Sequence, residues 1–284
     1  MNVADSGQFT IARTSKDPLV VYRLGFGAMR ITGVGIWGEP VDKEAAIHVL
    51  RRAVELGVDF IDTADSYGPF VSEDLIREAL HPYDGIVIAT KGGLTRQGPD
   101  AWASVGRPEY LRQCVQMSLR RLGVDRIDLW QLHRIDDAVP REDQFGVIQD
   151  MQQEGLIRHV GLSEVSVDDV LQAQKFFPVV TVQNLYNVGN RHSEELLKHC
   201  QAHDIGFIPW FPLGNRELLQ ADGRVAQIAE REGCTPSQVA LAWLLQHSPV
   251  TLPIPGTGDV RHLEDNCEVV RLSDESMAEL NSLS

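Results

Sequence analysis

The stretch 58–67, VDFIDTADSY, is apolar at first and then abruptly polar, and its reading decides the fold. Val58, Phe60 and Ile61 read as a strand buried on both faces, which makes Asp62 a charge at the strand's end. The run lies between amphipathic stretches at 42–56 and 72–80 that read as helices. The same alternation covers the rest of the chain. Strand-like runs stand at 24–29 (LGFGAM), 58–64, 85–91 (GIVIATK), 127–133 (IDLWQLH), 159–163 (HVGLS), 179–184 (VVTVQN), 205–210 (IGFIPW) and 250–255 (VTLPIP). Further helices are expected at 108–122, 141–154, 167–176, 192–203, 236–247 and 259–269, two of them announced by Arg107-Pro108 and Thr235-Pro236. Eight βα units with no Gly-x-Gly-x-x-Gly after the first strand predict an α/β protein of the closed (β/α)8 TIM-barrel type rather than a doubly wound sheet. QFTIAR (8–13) and LVVYRL (19–24) predict a short N-terminal hairpin cap. With no linker or low-complexity segment, residues 1–284 are expected to form one domain.

In such a barrel the strand ends share one rim, so Asp62, Tyr67, Lys91 and His133 are expected to meet there. A phenol can protonate a developing alkoxide when a cation draws its pKa down, and Lys91 is that cation. A lysine at the edge of an apolar strand tends to lose its proton unless a carboxylate is paired with it, which is the place for Asp62. His133 is a second donor to a substrate oxygen. Any one of the four alone reads more simply as a solvated strand-end residue. The loops 31–40, 94–106 and 211–223 are expected to shape the pocket; Trp37 and Trp102 either wall it or pack their loops on the barrel.

The chain carries 26 basic and 40 acidic residues, a net charge of −14, which disfavours nucleic acid and anionic membranes as partners. No apolar stretch approaches the ~20 residues of a membrane span, and the polar start MNVADSGQFT lacks a signal-peptide pattern, so the expected compartment is the cytoplasm. Cys114, Cys200, Cys234 and Cys267 are scattered, as suits reduced thiols. His199 and His203 have chelate spacing but no signalled third ligand, and no metal is expected.

RLGFGAM (23–29), DFIDTADSYG (59–68), TKGG (90–93), RRLGVDRIDLWQLH (120–133), IRHVGLSE (157–164), TVQNLYN (181–187), IPWFPLG (208–214), VALAWLL (239–245) and PIPGTGDVRHLEDN (253–266) together resemble the aldo-keto reductases. These are nicotinamide-dependent carbonyl reductases built on a (β/α)8 barrel. The resemblance implies that Asp62, Tyr67, Lys91 and His133 form the catalytic tetrad and that NADPH is the cofactor. It implies that Ser163, Glu164 and Gln183 hold the nicotinamide carboxamide, that Trp210 stacks on the ring beside Phe211, and that Leu213, Gly214 and Asn215 cover the pyrophosphate. The region 256–266 would take the adenosine end through Gly256, Thr257, Arg261 and Asn266. Two residues depart from the common pattern: Glu164 stands where Asn is frequent, and Gly256 where Lys is frequent. Thr257 and Arg261, at a helix start that favours an anion, are the expected replacements for that lysine as ligands of the 2'-phosphate.

The expected reaction is reduction of an aldehyde or ketone, a small-molecule carbonyl substrate, with Tyr67 as general acid. GEP (38–40), YGPFVSEDLIREALHPY (67–83) and QHSPVTLPIPGT (246–257) are similar to pyridoxal-reducing bacterial members, which makes pyridoxal the first substrate to consider. A cofactor-binding redox sensor or regulatory subunit with little turnover is the alternative. A barrel glycoside hydrolase would need paired carboxylates across the pocket, and the fourth run ends in His133 instead. Oligomeric state is not encoded in these patterns.

Overall fold

The computed structural model describes residues 2–214 and 223–283. In chain order the elements are β1 (Gln8–Ile11), β2 (Leu19–Tyr22), β3 (Phe26–Gly27), α1 (Lys43–Glu55), β4 (Phe60–Asp62), α2 (Val71–Leu80), β5 (Val87–Gly92), β6 (Leu94–Gly98), β7 (Ala101–Ser104) and α3 (Pro108–Leu122). They continue with β8 (Ile127–Leu132), α4 (Arg141–Gln153), β9 (Ile157–Ser163), α5 (Val167–Ala173), β10 (Val179–Leu185), α6 (Glu194–Ala202), β11 (Gly206–Trp210), α7 (Arg224–Glu232), α8 (Pro236–His247), α9 (Val260–Cys267) and α10 (Asp274–Asn281).

Seven parallel strands form a curled sheet in the order β3-β4-β5-β8-β9-β10-β11. The eighth apolar run closes it without becoming a regular strand. Pro253 and Pro255 have no N–H to give, so this segment serves β3 through its carbonyls: Gly25 N donates to Pro253 O (3.0 Å) and Gly27 N to Pro255 O (3.3 Å). On its other side Phe207 N donates to Val250 O and Leu252 N to Phe207 O, both at 2.8 Å. The join is tight enough to require glycine, because a Cβ on Gly256 would lie 2.3 Å from Gly27 O. The result is a (β/α)8 barrel.

The predicted N-terminal hairpin is β1 paired antiparallel with β2, and Phe9, Ile11, Leu19 and Val21 face the core. The helices start where the caps suggest: Asp42 accepts from Ala45 N, and Thr235 and Gln238 form a reciprocal capping box with Pro236 in the first turn. Helix α5 stops at Ala173, short of the predicted end, and the chain goes on in tight turns in which Lys175 N donates to Gln172 O and Phe176 N to Ala173 O. Among the described residues no helix is long and apolar enough to cross a membrane.

Two features differ from expectation. The loop 94–106 is largely an antiparallel hairpin, β6 with β7, which stands on the rim. Helices α7 and α10 are absent from the sequence reading; α7 buries Val225, Ile228 and Ala229 at the i, i+3, i+4 spacing of one helical face, and α10 buries Ser276 and Leu280.

Candidate active site

Strands β4, β5 and β8 bring their last residues to one rim, and the turn after β4 returns Tyr67 to it. Register sets the height: Asp62 lies level with Ala89 on β5, and Lys91 level with Gln131 on β8. Lys91 Nζ donates to Asp62 Oδ1 (2.5 Å), to Thr63 O (2.8 Å) and to Tyr67 Oη (3.3 Å). Lys91 is fully buried and Asp62 only 2% exposed. The other carboxylate oxygen of Asp62 accepts from the amides of Gln131 (3.1 Å) and Gln183 (2.8 Å). Both oxygens of this buried anion are thus met by donors, which is what makes the ion pair tolerable away from water.

Burial alone would lower the lysine pKa, but the charge of Asp62 and the bonds to Asp62 and Tyr67 outweigh it and raise the pKa above the usual value. The phenol differs from expectation. Burial raises the Tyr67 pKa, and the attraction of Lys91 offsets this only in part. Tyr67 is therefore held protonated in the free protein, as a proton donor must be.

His133 lies edge-on to Tyr67, ring centroids 5.8 Å apart. Burial, with Lys91 and Arg134 adding repulsion, drives its pKa well below the ordinary histidine value, so the imidazole is neutral. Its Nδ1 lies 3.3 Å from Ser66 Oγ. If the hydroxyl donates there, the ring proton sits on Nε2 and that nitrogen is a donor. Trp102 on β7 completes the wall, with its ring centroid 6.4 Å from those of both Tyr67 and His133.

These groups open into a cleft of about 770 Å³. Its far side holds Ser163, Gln183, Trp210, Phe211, Leu213, Gly214 and Gly256, all of which line it as expected. Glu164 does not line the cleft. Its Oε1 accepts from Trp210 Nε1 (2.6 Å) and Leu185 N (2.7 Å), so it clamps the indole at the end of β11. Ser163 Oγ accepts from Arg134 Nη1 at 3.0 Å, which leaves its own proton to donate.

Trp37 is the clear correction among the pocket residues. It does not reach the cleft, which Ile36 lines instead; Trp37 bridges to Gly68 with the Arg96 guanidinium 5.6 Å from its ring. Thr257, Arg261 and Asn266 also lie off the cleft wall. The start of α9 already has its anion: Asp259 accepts from Arg261 N (2.8 Å) and His262 N (3.3 Å), and the Arg261 side chain is 88% exposed, 3.6 Å from the same carboxylate. Asn266 is buried in the described structure. Asn215 lies outside the described residues.

Three residues escaped the sequence reading. Gln131 is two before His133, so strand alternation places both on the barrel interior, a signal available in the sequence. Arg134 follows His133 directly and lines the cleft. Arg96 stacks 3.6 Å from the Trp102 ring centroid and donates to the carbonyls of Gly35, Ile36, Ser66, Gly98 and Ala101, joining three rim loops; a lone arginine in a polar loop gave no hint of this.

Residues 23–284 match the model of the aldo/keto reductase family. The chain is 57% identical over 265 residues to an uncharacterized oxidoreductase of Schizosaccharomyces pombe, covering 93% of this chain and 87% of that one. It is 43% identical to the pyridoxine 4-dehydrogenase of Escherichia coli, covering 98% and 99% of the two. An aldo-keto reductase of Klebsiella pneumoniae solved in complex with NADPH superposes with a TM-score of 0.81 at 25% identity, over 97% of this chain and 95% of that one. The chain belongs to the aldo/keto reductase family.

Proposed function

We propose that the protein is an NADPH-dependent reductase of aldehyde or ketone carbonyls in which Tyr67 donates the proton. The observation that carries this is the buried chain of contacts from Asp62 through Lys91 Nζ to Tyr67 Oη at 3.3 Å. NADPH, when bound, supplies the hydride. Tyr67 gives its proton to the carbonyl oxygen as negative charge develops there, and Lys91 stabilises the tyrosinate left behind. Asp62 keeps Lys91 charged. His133, neutral and with Nε2 as donor, orients the same oxygen.

The donor set suits the nicotinamide end of the cofactor. A carboxamide needs a donor for its oxygen and an acceptor for its NH2, and the Ser163 hydroxyl and the Gln183 side-chain oxygen provide them. The Trp210 indole, fixed by Glu164, offers a flat face, and Phe211, Leu213, Gly214 and Gly256 continue the trough beyond it. The adenosine end, with Thr257, Arg261, Asn266 and Asn215, rests on the family resemblance. Pyridoxal is the first substrate to try, because the Escherichia coli relative acts under the name pyridoxine 4-dehydrogenase.

The test is NADPH consumption with pyridoxal and a series of aliphatic and aromatic aldehydes. Turnover with at least one aldehyde supports the reading. Stoichiometric NADPH binding with no turnover on any of them would instead favour a cofactor-binding sensor.

A further inference from the structure

Arg134 is a guanidinium inside the cleft with three of its five donors unused among the described residues. It follows His133 at the end of β8 and lines the wall with Tyr67, Trp102 and Ser104. Its Nη1 is fully engaged, donating to His133 O (2.6 Å) and Ser163 Oγ (3.0 Å). Nε and Nη2 have no hydrogen-bond partner among the described residues. These two carry parallel N–H bonds, the edge of a guanidinium that matches a carboxylate in bidentate fashion.

Charge points the same way. Among the described residues no carboxylate lies within ion-pairing distance of Arg134. Asp62 is committed to Lys91, Gln131 and Gln183, and Glu164, the acid whose field reaches Arg134, is bound by Trp210 and Leu185. A partly desolvated cation without a counterion is costly, and a bound anion relieves that cost. If Arg134 served only to tie His133 and Ser163 together, one terminal nitrogen would be enough. The exposed fork is left for a ligand.

We propose that Arg134 selects carbonyl substrates bearing an anionic oxygen close to the reacting carbonyl, a carboxylate or an ionised phenol. The inference rests on the carbonyl-reductase reading above and names the substrate class of that same cleft. The substrate carbonyl lies between Tyr67 and His133, and its anionic oxygen meets Nε and Nη2 of Arg134. In a protein of net charge −14, this local cation is what admits an anionic substrate.

The experiment compares kcat/KM for pairs that differ only by methylation of the anion: phenylglyoxylate with its methyl ester, and 2-hydroxybenzaldehyde, assayed where its phenol is ionised, with 2-methoxybenzaldehyde. The wild type is expected to prefer the ionised member of at least one pair by roughly 10- to 100-fold, the range for a hydrogen bond to a charged group. In Arg134→Met that ratio should collapse toward one, chiefly through KM, whatever the variant's rate on the neutral member. The pair that collapses identifies the anion as carboxylate or phenolate. In the wild type, benzoate should inhibit at least about tenfold more strongly than methyl benzoate, and less so at high salt, a result independent of whether the variant folds. Reduction of neutral and ionised members at equal kcat/KM, or an unchanged ratio in a folded Arg134→Met, would overturn the role of Arg134 and leave the reductase reading intact. Failure to reduce any of the four compounds, pyridoxal or any aldehyde of the wider series would overturn both.

Discussion

The two ends of the cleft are built in opposite ways. At the end formed by β4, β5 and β8, Lys91 and Asp62 are buried and met by several partners: Lys91 has three acceptors, and Asp62 has three side-chain donors. Beyond Gly256, where the chain leaves the cleft wall for the start of α9, Arg261 is 88% exposed and its neighbour Asp259 occupies the amides that an anionic ligand would need. The first is pre-organised, so its energy is spent before a substrate arrives. The second is solvated and adjustable. In the proposed reading, chemistry is fixed by the first and cofactor preference is left to the second, where screening by water and salt makes each contact small.

The largest effect is expected where organisation is tightest. Tyr67→Phe removes one hydroxyl and keeps the ring that packs on Trp102 and His133, so carbonyl reduction should fall by about 10² or more while cofactor affinity stays near wild type. Turnover and cofactor titration on one preparation check it. Near-normal turnover would remove Tyr67 from the reaction.

Burial at this end also has a cost that pH reveals. Asp65 is buried with its Oδ1 unpartnered, and desolvation, joined by repulsion from Glu73, pushes its pKa up to about 7 despite opposing effects of Cys114 and Arg121. The folded protein therefore holds this proton over a range, about pH 4 to 7, where the unfolded chain has released it. The stability this acid contributes is complete below about pH 4 and is lost as pH rises through about 7. Asp65→Asn should abolish that slope and gain on the wild type by on the order of 2 kcal/mol at pH 8. Urea unfolding of both proteins from pH 5 to 8 decides it; parallel curves would mean that Asp65 is ionised in the fold.

The smallest effect belongs to the solvated end. Asp259→Ser keeps a hydroxyl to cap α9 but removes the carboxylate from the helix start. NADPH affinity relative to NADH should then rise a few-fold, worth about 0.5–1 kcal/mol, as expected for an exposed charge near a helix terminus. Titration with both cofactors measures it. An equal change for both would place Asp259 away from the phosphate.

The same contrast governs what was legible in the sequence. Apolar runs that end in a charge mark the buried end well, because burial on both faces leaves a continuous hydrophobic signal that Asp62 or Lys91 interrupts. The eighth run was legible as a strand from Leu252 and Ile254, but its prolines turned it into a segment that bonds through carbonyls. The rim was harder to read. Thr95 and Arg96 have loop composition, yet pair with Ala103 and Trp102 in a hairpin that Arg96 ties to neighbouring loops and to the Trp102 ring. Glu164 read as a cofactor contact because its partner, Trp210, is 46 residues away and only the fold brings them together. Trp37 and Trp102 looked equivalent in sequence, and only loop geometry separated the one that reaches the cleft.

The most direct test of the buried end is the pH dependence of alcohol oxidation with NADP+, in which the proposed reading makes the ionised Tyr67 the base. Lys91→Met removes the cation and leaves the phenol buried beside Asp62, so the apparent pKa of oxidation should move upward from the wild-type value as the rate falls. An unchanged pKa in the variant, or a substrate trapped on Lys91 by borohydride in the wild type, would contradict an electrostatic role for this lysine.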